Sequence, residues 1–272
     1  MDIFVRFKVF FILGLVLLFL QFLSSINFFE QKMSNILDNS LPAFISLIAL
    51  IAGYKVFKQE KEFGFWRYIF ITTFLFFLAE LTWAFYYVVL NVDPSETLTI
   101  AELFYILGYF PLIYAFFSLW KKHELTLSYT EITLIFFIIM IISVALTYVI
   151  FYLNKELDII DYVYLTYPLL DLIVLGLIPF IFRTISKIND LTIPYVLINL
   201  SFGMFFASDF LYNSLVWNGI SIAESPLAKE VNFIYVLSYF FLISAYCYRL
   251  NLYEEINEKI RENIKKKVKK VK

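Results

Sequence analysis

One histidine and one cysteine occur among 272 residues. His123 stands between Lys122 and Glu124 in a polar connection, where an imidazole is solvated, and a lone His cannot build a His-rich metal centre. Cys247 lies inside an apolar run; it supplies no disulfide framework and reads as a small core residue. Glycine is scarce, and no Gly-rich phosphate loop, nucleophile elbow or zinc-protease helix occurs. Basic residues between the apolar runs are too scattered for nucleic acid, and the Lys-rich C-terminus lacks the interleaved aromatics such a partner needs. No catalytic residue, metal ligand or cofactor is therefore assigned. One enzymatic form stays open, in which carboxylates near the outer membrane boundary hold a divalent ion over a lipid-linked substrate. The phosphates of such substrates favour Arg or Lys, which the outer halves of the apolar runs do not supply.

Apolar residues are what the chain has in excess. They make up 61% of it, and the mean hydropathy is +0.79, against roughly 45 to 50% apolar content in a soluble domain. Runs of about 20 apolar residues, each able to cross a hydrocarbon core of about 30 Å as a helix, recur eight times: Val9 to Phe28, Leu41 to Phe57, Phe65 to Asn91, Leu98 to Trp120, Glu131 to Leu153, Ile159 to Phe182, Ile193 to Trp217 and Val231 to Tyr253. They lack the alternation of a transmembrane β-barrel. The first, behind Arg6 and Lys8, has no small-x-small cleavage site ahead of Glu30, so it is expected to remain as a span.

Charge between the runs predicts orientation. Arg6, Lys8, Lys55, Lys58, Lys61, Arg67, Lys121, Lys122, Arg183, Lys187 and the Lys-rich tail fall on one side, which the positive-inside rule makes cytoplasmic. The other side carries Glu30, Asp38, Asp93, Glu96, Glu156, Asp158, Asp161, Glu224 and Glu230, relieved by Lys32, Lys155 and Lys229. Both termini are then cytoplasmic, in a cell membrane.

The chain also matches itself. Phe76 to Val89, FFLAELTWAFYYVV, lies over FFASDFLYNSLVW, Phe205 to Trp217, placing Glu80 on Asp209. ELFYILGYFPLIYAF, Glu102 to Phe116, lies over NFIYVLSYFFLISAY, Asn232 to Tyr246, matching Tyr105 with Tyr235 and Tyr109 with Tyr239, and Pro42 falls on Pro168. The expected fold is an all-α membrane protein of eight transmembrane helices in two parallel four-helix repeats, residues 1–126 and 127–253, followed by a cytoplasmic amphipathic helix at 254–272. An even number of spans per repeat puts the relating axis along the membrane normal.

Four acids fall within these runs. Glu80 shares a helical face with Trp83 and Tyr87, Glu102 with Tyr105 and Tyr109, Asp171 with Tyr164 and Tyr167, and Asp209 with Tyr212 and Asn213; Asn232, Tyr235 and Tyr239 complete the pattern. An ionised side chain in hydrocarbon costs several kcal/mol, roughly 2.5 to 3.5 on insertion scales. No Lys or Arg lies at matching depth by this reading, because Lys55, Arg183 and Arg249 sit at cytoplasmic ends. Neutral carboxyls bonded to tyrosine hydroxyls are the least costly arrangement, and a cationic ligand or metal ion is the functional one. Three roles stay open: a polar network that joins helices, a pocket open to the outside, and an ion path.

The segment DPSETLTIAELFYILGYFPLIYAFFSLWKK resembles the multi-span sensor modules of microbial diguanylate cyclases and of archaeal or bacterial histidine kinases. FASDFLYNSLVWNG, FIYVLSYFFLISAYCYRL and YPLLDLIVLGLIPFIFR are similar to the later and middle parts of that pattern. Glu80 and Glu102 stand where it has aspartate, and Asn232 where it has another acid. The resemblance implies a last span that continues into a cytoplasmic signalling helix. Here LYEEINEKIRENIKKKVKKVK follows, with Ile256, Ile260, Ile264, Val268 and Val271 at helical spacing and acids ahead of bases, as the helix dipole prefers. Six lysines among the last eight residues suit anionic headgroups or an acidic partner.

The expectation is a sensor module without its own output domain, resident in the lipid bilayer and acting on a cytoplasmic kinase or cyclase in trans. It would bind a small apolar or cationic ligand through Glu80, Trp83, Glu102, Tyr105, Tyr109, Asp171, Asp209, Asn213, Asn232, Tyr235 and Tyr239. A transporter with a midplane carboxylate site and a structural subunit of a membrane complex are the rival readings.

Overall fold

In hydrocarbon a continuous apolar run has one way to satisfy its own backbone, the helix. The computed structural model describes residues 3–60, 64–92, 94, 97–122, 128, 130, 133, 137, 140, 141, 159–185, 192–217 and 226–271. Seven helices are found among them: α1 (Ile3–Ser25), α2 (Gln31–Gln59), α3 (Phe65–Val88), α4 (Ile100–Lys122), α5 (Ile159–Ile185), α6 (Thr192–Trp217) and α7 (Pro226–Val271). All but α5 contain a stretch long and apolar enough to cross a membrane, and α5 carries a shorter one, Thr166–Ile178. Large apolar side chains such as Phe19, Phe44, Leu103 and Phe110 are exposed on the helix flanks, which in water would be an untenable surface. The chain is a helical multi-span membrane protein. The run from Glu131 to Leu153 lies outside the described residues, apart from Thr133, Phe137, Met140 and Ile141.

Local chemistry ends the helices. After α1, Asn27 takes a left-handed φ of 58°, and Phe28 N–H bonds back to Leu23 O at 3.0 Å and Asn27 N–H to Ser24 O at 3.1 Å. This is a Schellman closure with Asn in the usual glycine place. Asn91, at φ 52°, turns the chain after α3, where Val92 N–H reaches Tyr86 O at 3.1 Å. Pro226 opens α7, at a position where its missing N–H costs nothing.

Two expected boundaries move. The second helix begins at Gln31, ten residues before Leu41; its first turn is exposed, and Ser34 and Asp38 on the next turns are buried against α1. The last helix starts at Pro226, five residues before Val231, and continues to Val271 without a break, so residues 254–271 carry the final span on as one helix, in line with what the resemblance implied.

The helices close a ring: α2 packs on α3, α3 on α4, α4 on α5, α5 on α6, α6 on α7, and α7 returns to α2, with α1 lying against α2 and α7. Close approach depends on small residues. A Cβ on Gly53 would lie 2.9 Å from the Tyr246 ring, and one on Gly108 only 2.5 Å from the Phe76 ring. Near the basic end α7 is tied to α3 by Tyr246 OH and Thr73 Oγ1, 2.7 Å apart. One turn on, Arg249 Nη2 meets Glu60 Oε1 and Tyr253 OH, both at 3.0 Å, while its guanidinium lies over the Trp66 and Tyr253 rings. Arg249, expected at a cytoplasmic end, finds Glu60 because α2 ends beside it.

Glycine substitution separates packing from helix propensity. Gly108→Ala is expected to lower the thermal midpoint in detergent, losing about 1 to 3 kcal/mol to overpacking against Phe76. Gly203→Ala, with nothing within 4 Å of the new Cβ, should leave the midpoint unchanged or raise it. Equal responses would refute the close α3–α4 approach.

Candidate functional site

Polar residues recurring every third or fourth position on several ring helices must face one another, and they do so at the end of the bundle opposite Arg249. A cavity of about 190 Å³ opens there, walled by all six ring helices. From α2 come Asn35, Asp38, Asn39 and Pro42; from α3 Phe76, Glu80, Trp83 and Tyr87; from α4 Glu102, Tyr105 and Tyr109; and from α5 Tyr167. Helix α6 adds Phe205, Ser208, Asp209, Tyr212 and Asn213, and α7 adds Ala228, Lys229, Val231, Asn232 and Tyr235. Of the residues expected from sequence, Glu80, Trp83, Glu102, Tyr105, Tyr109, Asp209, Asn213, Asn232 and Tyr235 stand on the wall. Asp171 and Tyr239 stand one hydrogen bond behind it.

The carboxyls are held in three different ways. Glu80, 3% exposed, accepts the Tyr239 hydroxyl at 2.9 Å, and Tyr105 and Tyr235 lie close by. Phenols from α4 and α7 thus surround one acid of α3, and the Tyr239 bond replaces part of the hydration that hydrocarbon withholds. Asp171 and Asp209 form a pair: the Tyr109 hydroxyl lies 2.7 Å from Asp171 Oδ1 and 3.3 Å from Asp209 Oδ2.

Glu102 is explained by its place at the start of α4. Its Oε2 accepts Thr99 N–H at 2.8 Å and the Thr99 hydroxyl at 2.6 Å, while Thr99 Oγ1 accepts Ala101 N–H at 3.2 Å. Thr99-Ile100-Ala101-Glu102 is a capping box, so the acid closes a helix N-terminus and meets its positive dipole end. The Thr-x-x-Glu spacing ahead of an apolar run was the signal in the sequence. Only Oε2 is engaged; Oε1 has no partner among the described residues, although Glu102 is 3% exposed.

Two wall residues were not foreseen. Asp38 had been read as a loop acid, yet it is buried inside α2, where its Oδ1 accepts Gln21 Nε2 at 2.7 Å and Ser24 Oγ at 2.8 Å. Lys229, read as a base of a connection, also stands on the cavity wall. Its Nζ donates to Asn27 Oδ1 at 2.6 Å and to Ser34 Oγ at 3.1 Å, beside Asp38 and on the cavity wall. Both were missed because the first turns of α2 and α7 read as connections, and no single-helix pattern joins them to α1.

Aromatic rings fill the wall between these groups. Phe76 and Phe205 touch at 5.7 Å between centroids; Phe76 also meets Tyr105 and Tyr109, and Phe205 meets Tyr235 and Tyr239. Among the described residues no group of His, Cys, Asp and Glu has the arrangement of a metal site. The arrangement can accept hydrogen bonds and stack against a flat or cationic group.

No protein-family model, no curated protein and no solved structure matches the chain.

The Glu80 cluster yields a stability test. Glu80→Leu deprives the buried Tyr239 hydroxyl of its acceptor and should cost about 1 to 3 kcal/mol, read as a lower unfolding midpoint in detergent. Glu80→Gln retains a carbonyl acceptor and should lose clearly less. Equal losses for the two variants would show that the phenols do not depend on an acceptor at that position.

Proposed function

We propose that the chain is a receptor-type membrane module: a small ligand enters the cavity from the extracytoplasmic side, and helix α7 relays its presence to the cytoplasm. The observation that carries this reading is the continuity of α7. Ala228, Lys229, Val231, Asn232 and Tyr235 line the cavity, and the same helix runs 46 residues to Val271, about 69 Å at 1.5 Å per residue. A displacement at the cavity end cannot be absorbed by a hinge in a helix that has none. Glu255 to Ile264 are exposed, so this part of the helix stands clear of the bundle. Its Ile256, Ile260 and Ile264, about half exposed, offer an apolar stripe to a cytoplasmic partner such as a kinase or cyclase.

The side chains at the opposite end from the cavity support the orientation. Lys55, Lys58, Arg67, Lys121 and Arg249 lie there, which by the positive-inside rule is the cytoplasmic face and makes both termini cytoplasmic. The contacts also favour two related halves. Tyr109 reaches Asp209, and its sequence counterpart Tyr239 reaches Glu80, the counterpart of Asp209. Phe76 and its counterpart Phe205 touch each other. Reciprocal exchange of this kind is what a two-fold relation between repeats produces, and it fits an eight-span, duplicated chain with the axis along the membrane normal.

A ligand shifts a conformational equilibrium only by the difference in its affinity for the two states, so the readout must be conformational. Nitroxides at Gln59→Cys and Arg261→Cys, in a Cys247→Ala background, report the distance between the end of α2 and the tail. Each compound that raises the thermal midpoint in a screen of small organic cations and apolar molecules is expected to change that distance distribution. Stabilising compounds that leave the distribution unchanged would overturn the relay. Their accumulation inside proteoliposomes would establish the transporter reading in its place.

A further inference from the structure

We infer that the exposed tail of α7 is a docking face for an amphipathic helix of a cytoplasmic protein, one whose aliphatic seam is flanked by Asp and Glu. This deepens the receptor reading at its cytoplasmic end and rests on that reading for the side of the membrane the tail occupies.

Helix length carries the tail away from the bilayer. Leu250 is the last fully buried residue of α7, and beside it Arg249 pairs with Glu60 at 3.0 Å. The helix continues to Val271, about 32 Å further at 1.5 Å per residue. No Pro or Gly follows Pro226 in it, so its sequence supplies none of the usual causes of a kink. The headgroup layer adds only about 5 to 8 Å beyond the hydrocarbon, and at physiological salt its charge is screened within about 8 Å. Six lysines occupy the last eight positions, and the first of them comes about 22 Å past Leu250 along the line of the span. They therefore stand beyond the headgroups that the sequence alone allowed for them. Between Arg249 and these lysines, every residue from Glu255 to Ile264 is exposed, and Ile256, Ile260 and Ile264 are 50%, 50% and 57% exposed. Outside lipid, such a stripe calls for a protein to cover it.

The charges around the stripe select that protein. Helical register sets successive residues about 100° apart, so Lys259 and Arg261 flank Ile260 on either side, while Glu258 and Glu262 fall on the opposite face. A helix seated on the isoleucines would meet bases along both of its edges, where acids form interhelical pairs. A second copy of the chain fits poorly. Two heptad registers hold two of the isoleucines in a seam: one runs Ile256, Ile260, Asn263, Lys267, and the other Asn257, Ile260, Ile264, Lys267. Each puts Lys267 in the seam, where a copy would set it against its own counterpart. An acidic residue of another protein would answer that charge.

Three synthetic helical peptides with fluorescent labels test the docking face on the full chain in phosphatidylcholine nanodiscs: a Leu seam flanked by Glu, the same seam flanked by Lys, and a Ser seam flanked by Glu. By fluorescence anisotropy the first is expected to bind at least tenfold tighter than either of the others, and to weaken as salt rises. Ile260→Ser, in the exposed tail, should weaken it tenfold or more and leave the thermal midpoint of the bundle unchanged; Ile256→Ser should do the same. Equal binding of the Lys-flanked peptide would overturn the proposal. Equal binding of the Ser-seam peptide would overturn it too, because charge attraction alone would then suffice. A dimer in detergent that Ile260→Ser dissociates would make a second copy the occupant, and displacement of the peptide by phosphatidylserine in the nanodisc would make lipid the occupant; either result would overturn the acidic helix. Peptide binding as described, with a Gln59–Arg261 distance that no stabilising compound changes, would uphold the docking face and overturn only the relay.

Discussion

A carboxyl group in hydrocarbon has no water to turn to, and that constraint organises this bundle. Each acid within the spans must find its hydrogen bonds on another helix or on its own helix end. Glu80 of α3 draws phenols from α4 and α7; Asp171 of α5 and Asp209 of α6 are joined through Tyr109 of α4; Asp38 of α2 is met by Gln21 and Ser24 of α1. These bonds link neighbours around the ring and to α1. Without them the six apolar surfaces would have only van der Waals packing to set their register, because lipid tails compete for the same contacts.

Tyr109 and Tyr239 each donate to an acid of another helix, and Phe76 and Phe205 meet between them. Yet Glu80 has three phenols around it, whereas Asp209 shares one phenol with Asp171. Glu102 caps α4 through Thr99, while the aligned residue on α7 is Asn232, several residues inside a helix that starts at Pro226. The acids on the cavity wall are therefore held by different partners.

The two ends of α7 are secured by different physics. At the cavity its residues are part of a polar wall; at the basic end Tyr246 seats against Gly53 and Thr73, and Arg249 joins Glu60, Trp66 and Tyr253. The charge-assisted contact lies where the helix leaves the bundle, so it marks the last point at which the core constrains the tail. Beyond it the exposed Ile256, Ile260 and Ile264 are held by nothing in the described chain.

The sequence by itself determined the helical, membrane-spanning character, since no other backbone arrangement can bury such runs in lipid. It also determined which faces were polar, because 3.6-residue spacing puts Glu80 with Trp83 and Asp209 with Asn213 whatever the neighbours are. Tertiary structure decided which faces meet and what each acid does there. Glu102 carried a readable cap signal in Thr99, but its burial with Oε1 unpartnered among the described residues depends on where α4 sits in the ring. Lys229 and Asp38 looked like loop charges, since only the packing of α1 against α2 and α7 shelters their helix ends. Periodicity along one helix is local and can be read from a string; the pairing of side chains from six helices depends on how the helices pack, and no single segment contains that information.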